Sequence, residues 1–181
     1  IEHKMGINGS PTCLLSFGER NECHGYLLKA ENMGMSQMFQ LMNEARLLVG
    51  LQGLAGAGAA VQNAWSYAKE RTQGPSSIHP GQKALLVEFP DVRRMLMKMK
   101  AVTEGLRALM YTTAWYTDMA NHGPEETREK YQDLLDLHIP ICKSFGTDQG
   151  FEVASLGIQV LGGVGFTKDF PLEQNVRDQK I

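Results

Sequence analysis

An apolar helix ends on a cluster of glycines in the stretch Gln159-Val160-Leu161-Gly162-Gly163-Val164-Gly165-Phe166. Apolar residues precede this stretch at helical spacing, and Gly162 stands where a helix end commonly adopts a positive φ. The glycines leave the backbone open to close approach by another group. Taken alone, the pattern is more typical of a helix cap than of a ligand site, because a dinucleotide fingerprint needs a preceding strand and the spacing G-x-G-x-x-G. Pro171 then opens a short helix.

Earlier in the chain, the spacing of apolar residues predicts one long helix. Apolar residues recur about every 3.6 positions from Ser36, the predicted N-cap, to Arg71, and no proline interrupts them. Several glycines lie inside this helix among alanines, which predicts close approach of a second helix on a face of small residues. These glycines are Gly50, Gly53, Gly56 and Gly58.

Prolines divide the chain after the first helix. Pro90 is predicted to open a second helix and Pro124 a third. Pro140 is expected to kink or end the third helix. Thr147 or Asp148 is then expected to cap the segment that leads into the glycine cluster.

Two parts of the chain lack helical periodicity. Residues 73–88 are rich in glycine, proline and serine and are predicted as a loop. Within residues 1–30, residues 12–17 and 26–28 are predicted as strands. Two short strands do not form a stable sheet alone, so residues 1–30 are either the tail of a β structure outside the chain or a hairpin lying on helices. The rest predicts a mainly α fold, an up-down bundle of at least four helices.

Composition excludes several classes of function. The chain has 181 residues, of which 43% are hydrophobic and 21% charged, and its formal net charge is −2. Such a chain offers no basic surface for nucleic acid. No apolar run reaches the length of a membrane span. Three scattered cysteines predict free thiols in a reducing compartment.

The sequence contains no motif for metal binding or nucleophilic catalysis. The five histidines form no ligand pair on a helix, and neither a G-x-S-x-G nor a G-x-x-x-x-G-K pattern occurs. The remaining candidates are polar residues on otherwise apolar helices: Asn43, Glu44, Arg46, Arg71 and Gln159. Each has an ordinary explanation as an exposed side chain or, for Arg71, as a cation at the negative end of a helix.

Taken together and in order, four sequence blocks resemble the C-terminal part of the acyl-CoA dehydrogenases. The first two of these blocks resemble the large bacterial branch of the family, which includes methylthiopropanoyl-CoA dehydrogenases. The resemblance covers nearly the whole chain, and its last block is the most specific. The blocks are residues 4–12, 42–47 (M-N-E-A-R-L), 67–71 (Y-A-K-E-R) and 157–166 (G-I-Q-V-L-G-G-V-G-F), the last continuing to Arg177-Asp178.

The resemblance implies how the chain is divided. The family has an N-terminal helical domain, a middle β domain and a C-terminal four-helix domain. Residues 1–30 are then expected to be the last strands of the middle β domain, and residues 31–181 the C-terminal helical bundle with its last helix truncated. The chain is expected to be a piece of a longer protein that forms a tetramer or dimer of dimers. Its expected location is the cytoplasm, or the mitochondrial matrix if the source is eukaryotic.

The resemblance also implies a chemistry. Members of the family are FAD-dependent oxidoreductases of fatty acid metabolism. A base removes the α proton of an acyl-CoA while a hydride leaves the β carbon for the flavin, and the electrons pass to an electron-transfer flavoprotein. By similarity, the residues expected to bind the FAD of a neighbouring subunit are Arg71, Gln73, Gln159, Gly162 and Gly163. Those expected to line the channel for CoA and the acyl chain are Met42, Asn43 and Arg46.

The catalytic base is not expected within the chain. In most relatives it is a glutamate that follows an Arg-Asp-x-Lys-Ile sequence, which here ends at Ile181. Some members carry the base on the first long helix, at a position that is Ala45 here. Glu44 is one residue away and points about 100° around the helix, so it is not expected to serve. The chain alone is therefore expected to be inactive.

Two alternatives remain open at this point. An acyl-CoA oxidase or flavin monooxygenase of the same fold would differ in the reaction of its reduced flavin with oxygen. A non-catalytic helical oligomerisation module would belong to a colourless protein. The glycine-rich first helix is compatible with oligomerisation in every case.

Overall fold

The computed structural model describes residues 1–180 and is mainly helical, as predicted. Its four α-helices are α1 (Gly34–Glu70), α2 (Pro90–His122), α3 (Glu125–Leu161) and α4 (Leu172–Gln179). A two-stranded antiparallel hairpin, β1 (Thr72–Pro75) and β2 (Lys83–Leu85), joins α1 to α2. Short 3-10 helices occupy Leu86–Glu88 and Gly162–Phe166. No helix within residues 1–180 is both long and apolar enough to cross a membrane.

The long helices form an up-down bundle in which α3 packs against both α1 and α2. The predicted close approach on the glycine face of α1 is confirmed. A Cβ added at Gly50 would lie 2.6 Å from the carbonyl oxygen of Cys142, and one at Gly150 would lie 2.7 Å from that of Gly53. Gly58 differs, because a Cβ there would meet nothing within 4 Å.

The main hydrophobic core lies where the hairpin end of the bundle meets α4. It includes Ala57, Ala60, Ala64, Ala68, Met95, Leu96, Met99, Val153, Val160, Leu161 and Leu172. Alanines on the α1 face keep the helices close, while methionines of α2 fill the space between them. Leu172 is fully buried, so α4 is anchored to the bundle by its first residue.

The third helix differs from its prediction, because Pro140 does not end it and α3 continues for 37 residues. Pro140 is exposed, whereas its neighbours Ile139 and Cys142 are buried. Tertiary packing on the inner face therefore outweighs the loss of one backbone hydrogen bond on the outer face. Thr147 is not a cap, since its hydroxyl donates to the carbonyl of Lys143 at 2.9 Å inside the helix. The fourth helix of the bundle is consequently the short α4.

Two smaller predictions also need correction. Ser36 is not the N-cap of the first helix, which begins at Gly34; its hydroxyl donates to the carbonyl of Met33 at 2.9 Å. Residues 73–88 are not wholly loop, because they contain most of the hairpin and a turn of 3-10 helix. The strands have four and three residues, which is too short to show alternation in the sequence.

Residues 12–17 and 26–28, predicted as strands, form no strand in this structure. They are exposed, with Leu14 at 92% and Tyr26 at 96% relative accessibility. A strand needs a neighbouring strand to pair its backbone groups, and the sheet within residues 1–180 contains only β1 and β2. Isolated contacts occur instead: the Thr12 carbonyl accepts the N–H of Glu2, and the Leu28 carbonyl accepts the side chain of Gln37. The assignment of residues 1–30 to a β domain stays a prediction.

Candidate functional site

A cavity of about 420 Å³ lies where the hairpin meets the end of α3. Its polar side chains come from Arg71 and Gln73 on one side and Gln159 on the other, and Gly162 and Gly163 form part of its wall. The remaining lining is mostly apolar and consists of Tyr67, Leu86, Val92, Val160, Leu161 and Val164. The fold thus brings together all five residues predicted to bind a cofactor, and their role stays a prediction.

Arg71 stands at the junction of α1 and the hairpin. Its backbone is extended, with φ −74° and ψ 127°, and its N–H donates to the carbonyl of Tyr67. Its own carbonyl accepts the N–H of Leu86 at 2.9 Å, which ties the start of the 3-10 turn back to the end of α1. The side chain is exposed and forms no ion pair with a carboxylate of residues 1–180. The guanidinium is therefore available to an external anion.

The structure accounts for two of the three glycines after α3, Gly162 and Gly165, but not for Gly163. Gly162 has φ 64° and ψ −139°, a conformation that only glycine adopts without strain. A Cβ at Gly165 would lie 2.7 Å from the carbonyl oxygen of Ile158, so packing within the chain requires glycine there. A Cβ at Gly163 would meet no atom within 4 Å. Nothing within residues 1–180 therefore demands a glycine at position 163, which faces open space.

A carboxylate that the sequence did not single out fixes the hairpin beside this cavity. The hydroxyl of Ser76 donates to Glu88 at 2.5 Å, and the N–H of Leu85 donates to the other carboxylate oxygen at 2.9 Å. The Ser76 oxygen in turn accepts the N–H groups of Ile78 and His79. The hydrogen bonds that Glu88 accepts, first from Ser76 and then from Leu85, lower its pKa. The partners are 12 residues apart, so no local motif announces them.

Acidification is expected to loosen this hairpin. The pKa of Glu88 in the folded chain lies below the ordinary value of 4.5, so its stabilising effect is complete above pH 4.5 and is lost as the pH falls through the folded-state pKa. At neutral pH, Glu88→Gln should have a similar effect, because the amide is uncharged and one of its two acceptor positions becomes a donor. We expect faster hydrogen exchange at the Ile78 and His79 amides in this variant.

The matched control for this prediction is Asp91→Asn. Asp91 is an exposed carboxylate that pairs with Arg94 on the same helix, and it is not one of the hydrogen-bonding partners of Ser76. This control should leave exchange at Ile78 and His79 unchanged. Equal exchange rates in Glu88→Gln and the unmodified protein would show that the carboxylate does not hold the hairpin.

A second cavity, of about 760 Å³, lies among the first half of α1, the end of α2 and the start of α3. Of the three residues predicted to contact substrate, only Asn43 lines it. Arg46 instead donates to the Asn43 side chain at 3.2 Å, and Met42 is partly exposed on another face. Glu44 also lines this cavity. The structure therefore links Asn43 and Arg46 but does not bring Met42 to the same place.

The fold and the first cavity define a helical-bundle domain with an open, glycine-lined polar site at one end. Residues 32–181 match the family profile described as acyl-CoA dehydrogenase, C-terminal domain. Over its whole length the chain is 43% identical to a 3-methylmercaptopropionyl-CoA dehydrogenase of Ruegeria pomeroyi. The chain belongs to the acyl-CoA dehydrogenase family, which confirms the resemblance seen in its sequence.

Solved structures agree with this assignment. A butyryl-CoA dehydrogenase of Megasphaera elsdenii matches 83% of the chain with a TM-score of 0.68 and 25% identity. A structure described as the electron transferring flavoprotein of Acidaminococcus fermentans contains a chain that matches 84% of this one, with a TM-score of 0.69 and 26% identity. The chain spans only 30% of the length of the Ruegeria relative, and 34% and 35% of the two solved chains.

Proposed function

We propose that this chain is the C-terminal helical part of an FAD-dependent acyl-CoA dehydrogenase, with residues 1–30 forming the end of a middle β domain. The parent enzyme oxidises the α,β bond of an acyl-CoA thioester and passes the electrons to an electron-transfer flavoprotein. One observation carries the proposal: two distant parts of the sequence, residues 71–73 and 159–163, meet around one polar cavity.

The groups around this cavity fit the phosphate-bearing end of FAD. Phosphate oxygens favour a guanidinium fork together with amide N–H donors, and Arg71, Gln73 and Gln159 can supply both. The open space beside Gly163 allows a ligand to approach the backbone without meeting a side chain. The apolar wall of the same cavity suits an aromatic base. These residues would hold one end of the cofactor, while the flavin ring would be held by other parts of the protein.

When bound, FAD supplies the hydride acceptor of the reaction. The residues of this chain act by binding and orientation: Arg71 neutralises phosphate charge, and Gln73 and Gln159 fix the position of the same group through hydrogen bonds. The proton is removed by a base that we expect just after Ile181, outside the described residues. Developing charge on the thioester oxygen would be stabilised by hydrogen bonds from elsewhere in the parent protein.

We propose that the first half of α1 borders the channel for CoA and the acyl chain. Asn43 lines the larger cavity, and Arg46 orients it through the hydrogen bond between their side chains. Met42 does not line this cavity, so its contact with substrate would have to occur at another part of the channel. Glu44 shares this cavity, but it is not proposed as the base.

The decisive experiment uses the full-length protein that contains this chain. Purified protein should show the absorbance of oxidised flavin, and butyryl-CoA or 3-methylmercaptopropionyl-CoA should bleach it without oxygen. An electron-transfer flavoprotein should then reoxidise it faster than dissolved oxygen does. Fast reoxidation by oxygen would identify an oxidase of the same fold instead, and a colourless protein would favour a non-catalytic oligomerisation module.

The isolated 181-residue chain is expected to have no dehydrogenase activity. It lacks both the expected base and the residues expected around the flavin ring, so neither proton removal nor hydride transfer can proceed. Steady-state assays with an artificial electron acceptor and either acyl-CoA should give no turnover above the background rate. Turnover by the isolated chain would contradict this division of the enzyme.

We also propose a homo-oligomer, in which the cavity receives the cofactor of a neighbouring subunit. The large exposed apolar side chains of α1, including Met35, Phe39 and Leu41, support the proposal, because they need cover from another subunit or domain. Three free cysteines fit a reducing compartment such as the cytoplasm. Sedimentation of the full-length protein tests the oligomer directly.

A further inference from the structure

The end of α4 is fastened to three other parts of the chain. The guanidinium of Arg177 donates to the carbonyl of Met5 at 2.8 Å, and the carboxylate of Asp178 accepts the N–H of Ile7 at 2.7 Å. The next residue, Gln179, donates to the carbonyl of Gln52 on α1 at 3.2 Å. The ammonium of Lys180 lies 4.4 Å from the centre of the Phe151 ring on α3. Each of the four consecutive residues 177–180 therefore contacts another part of the chain.

Gly6 lies between the two residues that α4 holds. A Cβ at Gly6 would collide with the backbone carbonyl of Arg177 and lie 2.7 Å from a carboxylate oxygen of Asp178. Position 6 therefore accommodates no side chain while the contact persists. Ile7 has φ 49°, which an isoleucine adopts only when its surroundings hold it. Residues 5–7 are therefore in close contact with the end of α4.

Arg177 is itself held in position by a second carboxylate. Its Nε and Nη2 donate to the two oxygens of Glu173 at 2.9 and 3.1 Å, which leaves Nη1 for the carbonyl of Met5. This bidentate pairing lowers the pKa of Glu173. The fork fixes the guanidinium plane, so one arginine connects a turn of α4 to residues 5–7.

We propose that Arg177 and Asp178 are positioning residues for the dehydrogenation, because they clamp residues 5–7 against the end of α4 and so fix the direction in which the chain leaves this helix. The clamp joins the segment that precedes α1 to the last turn of α4. The inference rests on the proposed function, in which the catalytic glutamate comes shortly after residue 181. A misplacement of such a base by about 1 Å costs roughly a hundredfold in rate.

The test compares two variants of Asp178 in the full-length protein. Asp178→Ala removes the acceptor for the Ile7 N–H, whereas Asp178→Asn keeps a carbonyl oxygen of the same size in the same place. In Asp178→Ala we expect the rate of flavin reduction by butyryl-CoA to fall about tenfold or more, with the dissociation constant of butyryl-CoA changed less than about twofold. Flavin content should be unchanged, and Asp178→Asn should recover most of the rate.

Hydrogen exchange supplies a readout that needs no turnover. The Ile7 amide should be protected in the unmodified protein and in Asp178→Asn, and it should exchange faster in Asp178→Ala. Asp169→Ala, which removes an exposed carboxylate from the loop before α4, serves as the control and should change neither the exchange nor the rate. If Asp178→Ala does not fold, Arg177→Lys provides a second variant, because lysine keeps the charge but cannot bond Glu173 and Met5 together.

The outcomes separate the clamp from the proposed function. Normal flavin reduction in the unmodified protein and an equal rate in Asp178→Ala, with faster exchange at Ile7, would overturn the positioning role while leaving the dehydrogenase intact. Absence of flavin reduction in the unmodified protein would overturn both. A rate lost equally in Asp178→Ala and Asp178→Asn would also contradict the proposal, since it would assign the effect to charge rather than to the clamp.

Discussion

Gly53→Ala should destabilise the bundle more than any other single-methyl change in α1. The added Cβ would collide with the carbonyl oxygen of Gly146 and lie 3.1 Å from the N–H nitrogen of Thr147. The obstacle is backbone, which cannot rotate away as a side chain can, so α1 and α3 must separate. Overpacking of this kind costs about 1–3 kcal/mol. Thermal denaturation of the full-length protein should show a midpoint several degrees lower.

Gly58→Ala is the matched control, because it makes the same chemical change in the same helix. A Cβ at Gly58 meets nothing within 4 Å, so no clash opposes it. Alanine is favoured over glycine in a helix interior by about 1 kcal/mol, and Gly58→Ala should therefore raise the midpoint. A lower midpoint for Gly53→Ala together with a higher midpoint for Gly58→Ala would support helix contact as the reason for the glycine at position 53. Equal effects would contradict it.

The helices could be predicted from the sequence where local pattern and tertiary packing agree. The first helix satisfies its period and meets its partner through glycines, and the turn at Gly162 follows from the residue type that its backbone requires. Pro140 shows where this reasoning fails, since a local preference to end the helix is overridden by packing on both sides of it. The strand prediction for residues 12–17 is wrong for the opposite reason: they have strand propensity but no neighbouring strand within the described residues.

The candidate site shows a different limit. Taken one by one, Arg71 and Gln159 have ordinary explanations as a helix-end cation and a surface amide, and nothing in their spacing joins them. Only the resemblance grouped them, and the fold then brought them to one cavity. Ser76 and Glu88, which fix the hairpin beside that cavity, could not be found from the sequence, because their contact depends on the path of an irregular loop.

Arg71→Ala is the second substitution with a large expected effect: under the proposed function, we expect it to lower the affinity for FAD rather than the stability of the fold. The Arg71 guanidinium is exposed and makes no ion pair within residues 1–180, so its loss removes little from the fold. Hydrogen bonds to a charged group contribute about 1.5–3 kcal/mol, so their loss should raise the dissociation constant for FAD about tenfold to hundredfold. Reconstitution of the full-length apoprotein with FAD, followed by flavin fluorescence, measures it. Arg71→Lys should recover only part of the affinity, because lysine lacks the fork.

Three further variants test whether this effect belongs to the cavity. Arg94→Ala removes the same charge from an exposed arginine that pairs with Asp91, and it should leave the FAD dissociation constant unchanged. Gly163→Ala adds one methyl group to the open wall, so it should weaken FAD binding without lowering the stability of the apoprotein. Gly165→Ala should lower the stability of the apoprotein, because its methyl group meets the carbonyl of Ile158 inside the turn. It should not itself obstruct the space beside Gly163. If Gly163→Ala binds FAD normally, the space beside this glycine does not hold the cofactor, and the glycine at position 163 then needs another explanation.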